Sequence, residues 1–107
     1  MSTRINLFQR VPDLINAFSA ASQAAHNSGL DSTLKNLVDI RASQLNSCAL
    51  CLDMHIKQAR ILGERELRLH HVAIWRESPL FTEKEKAALA LTEALTRPGA
   101  EGVSDAI

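Results

Sequence analysis

The chain has 107 residues, of which 46% are hydrophobic, and its 12 Lys and Arg balance its 12 Asp and Glu. That is the length of one domain, with an ordinary globular composition and room for a thin core. The zero formal net charge argues against a nucleic-acid binder and against electrostatic attachment to a membrane surface, and no apolar run approaches the ~20 residues of a membrane span.

The first residues, Met1-Ser2-Thr3-Arg4-Ile5, lack the charged-then-apolar pattern of a secretory signal. A cytoplasmic, reducing location is therefore expected. Two cysteines are too few for a disulfide scaffold. In a reducing compartment, closely spaced cysteines point to redox chemistry or metal binding.

The helical elements follow in chain order. Pro12 suits the first turn of a helix that carries Val11, Leu14, Ile15, Phe18, Ala21 and Ala25 at spacings of mostly three or four, and Asn27-Ser28-Gly29 ends it. Asp31 or Ser32 can cap a second helix with Leu34, Leu37, Val38 and Leu45 on one face, broken at Asn46-Ser47. A third starts near Ser47 or Cys48 and runs to Leu62, with Gly63 as its stop. A fourth spans about Glu64 to Arg76, and its charge run Glu64-Arg65-Glu66-Leu67-Arg68 reads as a solvated face. Thr82-Glu83-Lys84-Glu85 is a capping box. It opens a fifth helix with Ala87, Ala88, Leu91 and Leu95, stopped by Arg97-Pro98-Gly99. Ser104-Asp105-Ala106-Ile107 resembles the start of a sixth, in either a frayed tail or a fragment of a longer protein. No segment alternates apolar and polar residues between turns, so the expected fold is all-α, one domain over 1–107. Trp75, Phe81 and the run Leu89-Ala90-Leu91 are expected in the core or at a contact between subunits.

The chemistry concentrates in Cys48-Ala49-Leu50-Cys51-Leu52-Asp53-Met54-His55. At about 100° per residue, Cys51 lies about 60° from Cys48 and His55 about 20° from it, so all three share one helix face. The free N–H groups and positive dipole end of the first turn favour a thiolate there. His55, one turn beyond Cys51, can accept a thiol proton or pair with the thiolate. One-turn spacing also lets the two sulfurs close a disulfide. Two other readings stand beside this one. The cysteines could be inert, or they could form part of a zinc site, for which His26, His70, His71 or a second copy would have to supply a fourth ligand. For His70-His71, one facing solvent and a satisfied structural role are expected. His26, in a polar helix end, is assigned no role.

The stretch from Arg41 to His55 resembles the signature of the AhpD-like, carboxymuconolactone-decarboxylase superfamily. Trp75-Arg76-Glu77-Ser78-Pro79-Leu80-Phe81-Thr82-Glu83, with Ala88-Leu89-Ala90-Leu91-Thr92-Glu93, is similar to its alkylhydroperoxidase-like branch. The resemblance implies an AhpD-like helical bundle that assembles as a trimer or hexamer, here without the C-terminal helices that family members carry. It implies reduction of hydroperoxides by a cysteine pair that a dithiol donor recycles. In it the second cysteine, here Cys51, attacks peroxide; the first, here Cys48, resolves the sulfenic acid; and His55 belongs to the proton relay. The family usually has a glutamate twelve residues before the first cysteine. Here that position is Asn36, an amide that cannot take up a proton at physiological pH. Asp39, one turn along, is a substitute candidate with a shorter side chain. Ser47 stands where Gly is common, and Leu50 where an aromatic is common.

The sequence therefore reads as an oligomeric, cytoplasmic, thiol-dependent peroxidase that needs no cofactor and no metal. Cys51, Cys48 and His55 carry the reaction, and Asn36 makes it weak. The alternatives are a redox sensor or interaction protein with a reversible disulfide, and a decarboxylase-like member of the superfamily.

Overall fold

In a computed structural model that describes residues 4–107, the regular elements are all helical. They are α1 (Leu7–Arg10), α2 (Pro12–His26), α3 (Ser32–Leu45), α4 (Ala49–Ile61), α5 (Glu66–His71), a 3₁₀ helix (Val72–Glu77) and α6 (Glu83–Thr96). The all-α expectation holds. Among the described residues no helix is long and apolar enough to cross a membrane. The chain divides into two units, Met1–Leu30 and Asp31–Ile107.

In the first unit, α1 and α2 pack on each other, yet neither contains a buried residue. Helices of 4 and 15 residues cannot enclose a core between them. The apolar residues expected on α2 are not buried: Leu14 and Phe18 are exposed, as are Leu7 and Phe8 of α1. The sequence pattern missed α1, whose start is marked by Asn6 accepting the Gln9 N–H.

In the second unit, α3 packs against both α4 and α6. The core joins Leu37 and Ile40 of α3, Ala59 of α4, Leu69 of α5, Val72 and Trp75 of the 3₁₀ helix, Phe81, and Leu89 of α6. Local chemistry sets the ends of these helices. Asp31 accepts the Leu34 N–H at 3.1 Å. In the expected capping box, Thr82 Oγ1 accepts the Glu85 N–H at 3.1 Å while Glu85 Oε1 accepts the Thr82 N–H at 2.8 Å. Gly63, at φ +87°, ends α4 in the left-handed conformation that Gly adopts without strain.

Three expectations are corrected. The fourth helix does not run unbroken to Arg76 but becomes 3₁₀, with Ile74 non-helical at φ −122°, ψ 31°. Leu69, Val72, Trp75 and Ser78 are all buried. They are spaced by three, the repeat of a 3₁₀ turn and not of an α-turn. Second, the charge run is a solvated face only in part: Arg65, Glu66 and Leu67 are exposed, but Glu64 and Arg68 turn inward. Arg68 is half of a buried network, with Nε 2.8 Å from Glu64, one Nη 2.6 Å from Glu85 and the other donating to the Leu80 carbonyl. It also lies over the Phe81 ring, 5.0 Å from its centroid. The hydrogen bond from Arg68, set against the cost of burial, holds the Glu85 carboxyl below its usual range and raises the pKa of Arg68 itself. Third, the segment at Ser104 does not start a sixth helix but forms turns, with Ser104 Oγ accepting the Ala106 N–H at 3.1 Å. Trp75, Phe81 and Leu89 lie in the core, the first of the two places expected for them, while Leu91 of the same run is exposed.

A second polar cluster ties α6 to its neighbours. Trp75 Nε1–H donates to Glu93 Oε1 at 2.7 Å, Arg76 donates to the same carboxylate at 3.0 Å, and Arg41 of α3 lies 3.7 Å from it. Burial acts to raise the pKa of Glu93, but these donors outweigh it and the carboxyl lies below its usual range.

Candidate active site

The turn between α3 and α4 is built by backbone hydrogen bonds. The Ser47 N–H reaches the Gln44 carbonyl at 3.1 Å and the Cys48 N–H reaches the Ser43 carbonyl at 3.0 Å. This pair of bonds is a Schellman ending for α3, and it needs a left-handed residue at position 47. Ser47 supplies it at φ 53°. The next residue, Cys48, then serves as N-cap of α4, with its Sγ accepting the Cys51 N–H at 3.3 Å. One turn thus ends one helix and starts the next. It presents a sulfur at the positive end of α4, as the spacing predicted.

Cys48 and Cys51 are joined by a disulfide, their Cα atoms 5.3 Å apart. Both residues are half-buried, and so is His55. His55 Nδ1 lies 3.2 Å from Gln58 Oε1 and 3.6 Å from Asp39 Oδ2. Both neighbours are acceptors, so Nδ1 carries the proton in the neutral ring and Nε2 is left with its lone pair, the arrangement of a base. Asp39 is also held by Lys35, at 3.2 Å.

The structure therefore joins Cys48 to Cys51 and brings Asp39 of α3 to His55 of α4. Asn36 is buried on α3, and among the described residues no hydrogen bond joins it to His55. The carboxylate beside the histidine is that of Asp39. Gln58 was missed by the sequence reading, although its place three residues after His55, on the same face, was the available signal. Of the other histidines, His71 is satisfied by Ser78, with Nδ1 2.8 Å from Oγ. His70 is exposed near Glu66, and His26 ends α2.

The model of the carboxymuconolactone decarboxylase family matches residues 11–94. The chain belongs to the carboxymuconolactone decarboxylase family. It is 34% identical over 105 residues to the uncharacterized protein YdfG of Bacillus subtilis (strain 168), covering 98% of this chain and 71% of that one. It is 40% identical over 68 residues to the uncharacterized protein YnjA of Escherichia coli (strain K12), covering 63% of this chain and 37% of that one. Among solved structures it resembles ATU0492 of Agrobacterium tumefaciens, a protein of unknown function proposed to be the antioxidant defence protein AhpD. That match has a TM-score of 0.85 and 37% identity, over 98% of this chain and 72% of the other.

The family assignment and the AhpD-like fold agree with the resemblance read from the Cys48–His55 stretch. The family match also spans the second quoted stretch, Trp75 to Glu93. In this member of the family Ser47 occupies the left-handed position directly, where the resemblance expects Gly. Leu50, in place of an aromatic, is 80% exposed and touches nothing in the core.

Proposed function

We propose that the chain is a thiol-dependent peroxidase that reduces hydroperoxides with the Cys48–Cys51 pair. The observation that carries this reading is the disulfide at the N-terminus of α4 with a carboxylate-paired histidine, His55, one turn away. In the reduced protein His55 Nε2 accepts the Cys51 proton. The Cys51 thiolate attacks the terminal peroxide oxygen, the O–O bond breaks, and the alkoxide leaves with the proton that His55 returns. Cys51 is then a sulfenic acid. The Cys48 thiolate, stabilised by the Cys51 N–H, attacks that sulfur; the S–O bond breaks, water leaves after protonation, and the disulfide forms. A dithiol donor restores both thiols. No bound cofactor takes part in this cycle. The assembly we propose is a homo-oligomer, trimer or hexamer, acting in the cytoplasm.

The test is steady-state consumption of an alkyl hydroperoxide with excess dithiol at catalytic protein concentration. Many turnovers per chain, lost in Cys51→Ser, are expected. Oxidation that stops after one equivalent would mark a redox sensor instead, and hydroperoxide-independent loss of carboxylate from a lactone acid would mark a decarboxylase.

A further inference from the structure

We infer that Gln58 is a positioning residue for His55: its amide oxygen, more than the Asp39 carboxylate, holds the proton on Nδ1 and so keeps Nε2 free to act as the base. The inference rests on the proposed peroxidase cycle and extends its proton carrier by one helical turn. Two acceptors face Nδ1. Gln58 Oε1 lies at 3.2 Å, within hydrogen-bond range, and Asp39 Oδ2 at 3.6 Å, beyond it. That same Asp39 oxygen already accepts from Lys35 Nζ at 3.2 Å. The carboxylate is therefore engaged with the lysine, and the direct partner of the ring is the amide.

Both members of the closer contact belong to α4. His55 and Gln58 are three residues apart, a spacing at which helix side chains meet. Measured from Cys48 in one sense around the helix, His55 is turned by about 20°, Cys51 by about 60° and Gln58 by about 80°. The two cysteines, the histidine and its acceptor thus share one sector of one helix.

The amide of Gln58 has an oxygen end and an N–H₂ end, and the two would set opposite tautomers of the ring. Asp39 decides between them. A nitrogen that also faces a carboxylate is favoured as a donor, and a donor is met by the amide oxygen. The oxygen suits both states of the ring. In the neutral ring it accepts the Nδ1–H, which leaves the lone pair on Nε2. When the Cys51 S–H bond breaks and the proton bonds to Nε2, the imidazolium keeps the same Nδ1–H bond. Gln58 therefore need not rearrange as the proton moves. Asp39 acts differently, through its charge on the imidazolium once that has formed.

The experiment is nitrogen NMR of the oxidised full chain with labelled histidine, at about pH 8.5, where an ordinary histidine ring is neutral. The spectrum of His55→Ala identifies the His55 signals among those of the four histidines, and their shifts tell a protonated ring nitrogen from a bare one. The Nδ1–H form of His55 is expected to dominate. Gln58 is exposed, so Gln58→Met leaves the core untouched. It should lower the ratio of the Nδ1–H to the Nε2–H form about fivefold, the scale of one hydrogen bond. Gln58→Glu, which keeps an acceptor oxygen, should restore the ratio, and Asp39→Asn should lower it less than Gln58→Met does. A ratio unchanged in Gln58→Met, a loss that Gln58→Glu does not restore, or a larger loss in Asp39→Asn overturns the inference. No peroxide or dithiol is present, so the two readings fail separately. A chain without turnover but with a Gln58-dependent tautomer defeats the peroxidase reading alone, and a chain with turnover and a Gln58-independent tautomer defeats this inference alone.

Discussion

Asp39 Oδ2 lies 3.6 Å from His55 Nδ1, joining α3 to α4 beside the cysteine pair. The family's usual glutamate position holds Asn36 here, yet the histidine does not lack a carboxylate. The shorter Asp39 reaches it because the hairpin centred on Ser47 places residues 39 and 55 at equal sequence distance from the turn.

That pairing makes a directional prediction. His55→Ala should lower peroxide turnover by roughly 10²-fold, the scale of a positioned proton carrier, and Asp39→Asn by about tenfold. Asn36→Glu should change the rate by less than Asp39→Asn does. The measurement is turnover against pH with saturating dithiol. A strong gain in Asn36→Glu would move the relay to position 36.

The cysteines should separate by role. Cys51→Ser should abolish turnover, while Cys48→Ser should leave a sulfenic acid on Cys51 that dimedone traps. Dimedone on Cys48 in the Cys51→Ser variant, with turnover retained, would reverse the assignment.

Ser47 carries a backbone cost that Gly would not. Its φ of 53° is disfavoured for L-residues by about 1–2 kcal/mol. Ser47→Gly should therefore stabilise the fold by about 1 kcal/mol, allowing for the extra freedom of Gly in the unfolded chain. Urea denaturation of both proteins in the oxidised state measures it.

Acid should destabilise the second unit. Glu85 and Glu93 both titrate below their usual range in the folded chain. Their contribution is thus complete above the unfolded carboxyl value, about 4.3, and is lost as pH falls through the lower folded values. Melting temperatures should be level from pH 7 to about 5 and drop below about 4. Arg68→Met, which leaves Glu64 and Glu85 buried without their partner, should cost about 3 kcal/mol at neutral pH. It should also flatten the acid limb.

Leu7 and Phe8 of α1 and Leu14 and Phe18 of α2 are exposed in the single chain. If the chain assembles, Phe18→Asp should shift light-scattering mass towards the monomer, because Phe18 is 68% exposed in the single chain and its loss costs nothing in either unit's interior. An assembly unchanged by Phe18→Asp would place the contact elsewhere.

What the sequence determined by itself is everything whose geometry is local. Helix periodicity puts Cys48, Cys51 and His55 on one face whatever surrounds them, and the Thr82 capping box, the Asp31 cap and the Gly63 stop act within one turn. The 3₁₀ break was not legible, because its cause is the burial of Leu69, Val72, Trp75 and Ser78 against helices elsewhere in the chain. Nor were the pairs that chain closure creates: Asp39 with His55 across the hairpin, Arg68 with Glu85 and Trp75 with Glu93. A charged residue looks the same in sequence on a wet face and in a buried network. Only the packing of α5, the 3₁₀ helix and α6 around α3 decided that Arg68 is enclosed, and only the register of α3 on α4 decided which carboxylate His55 meets.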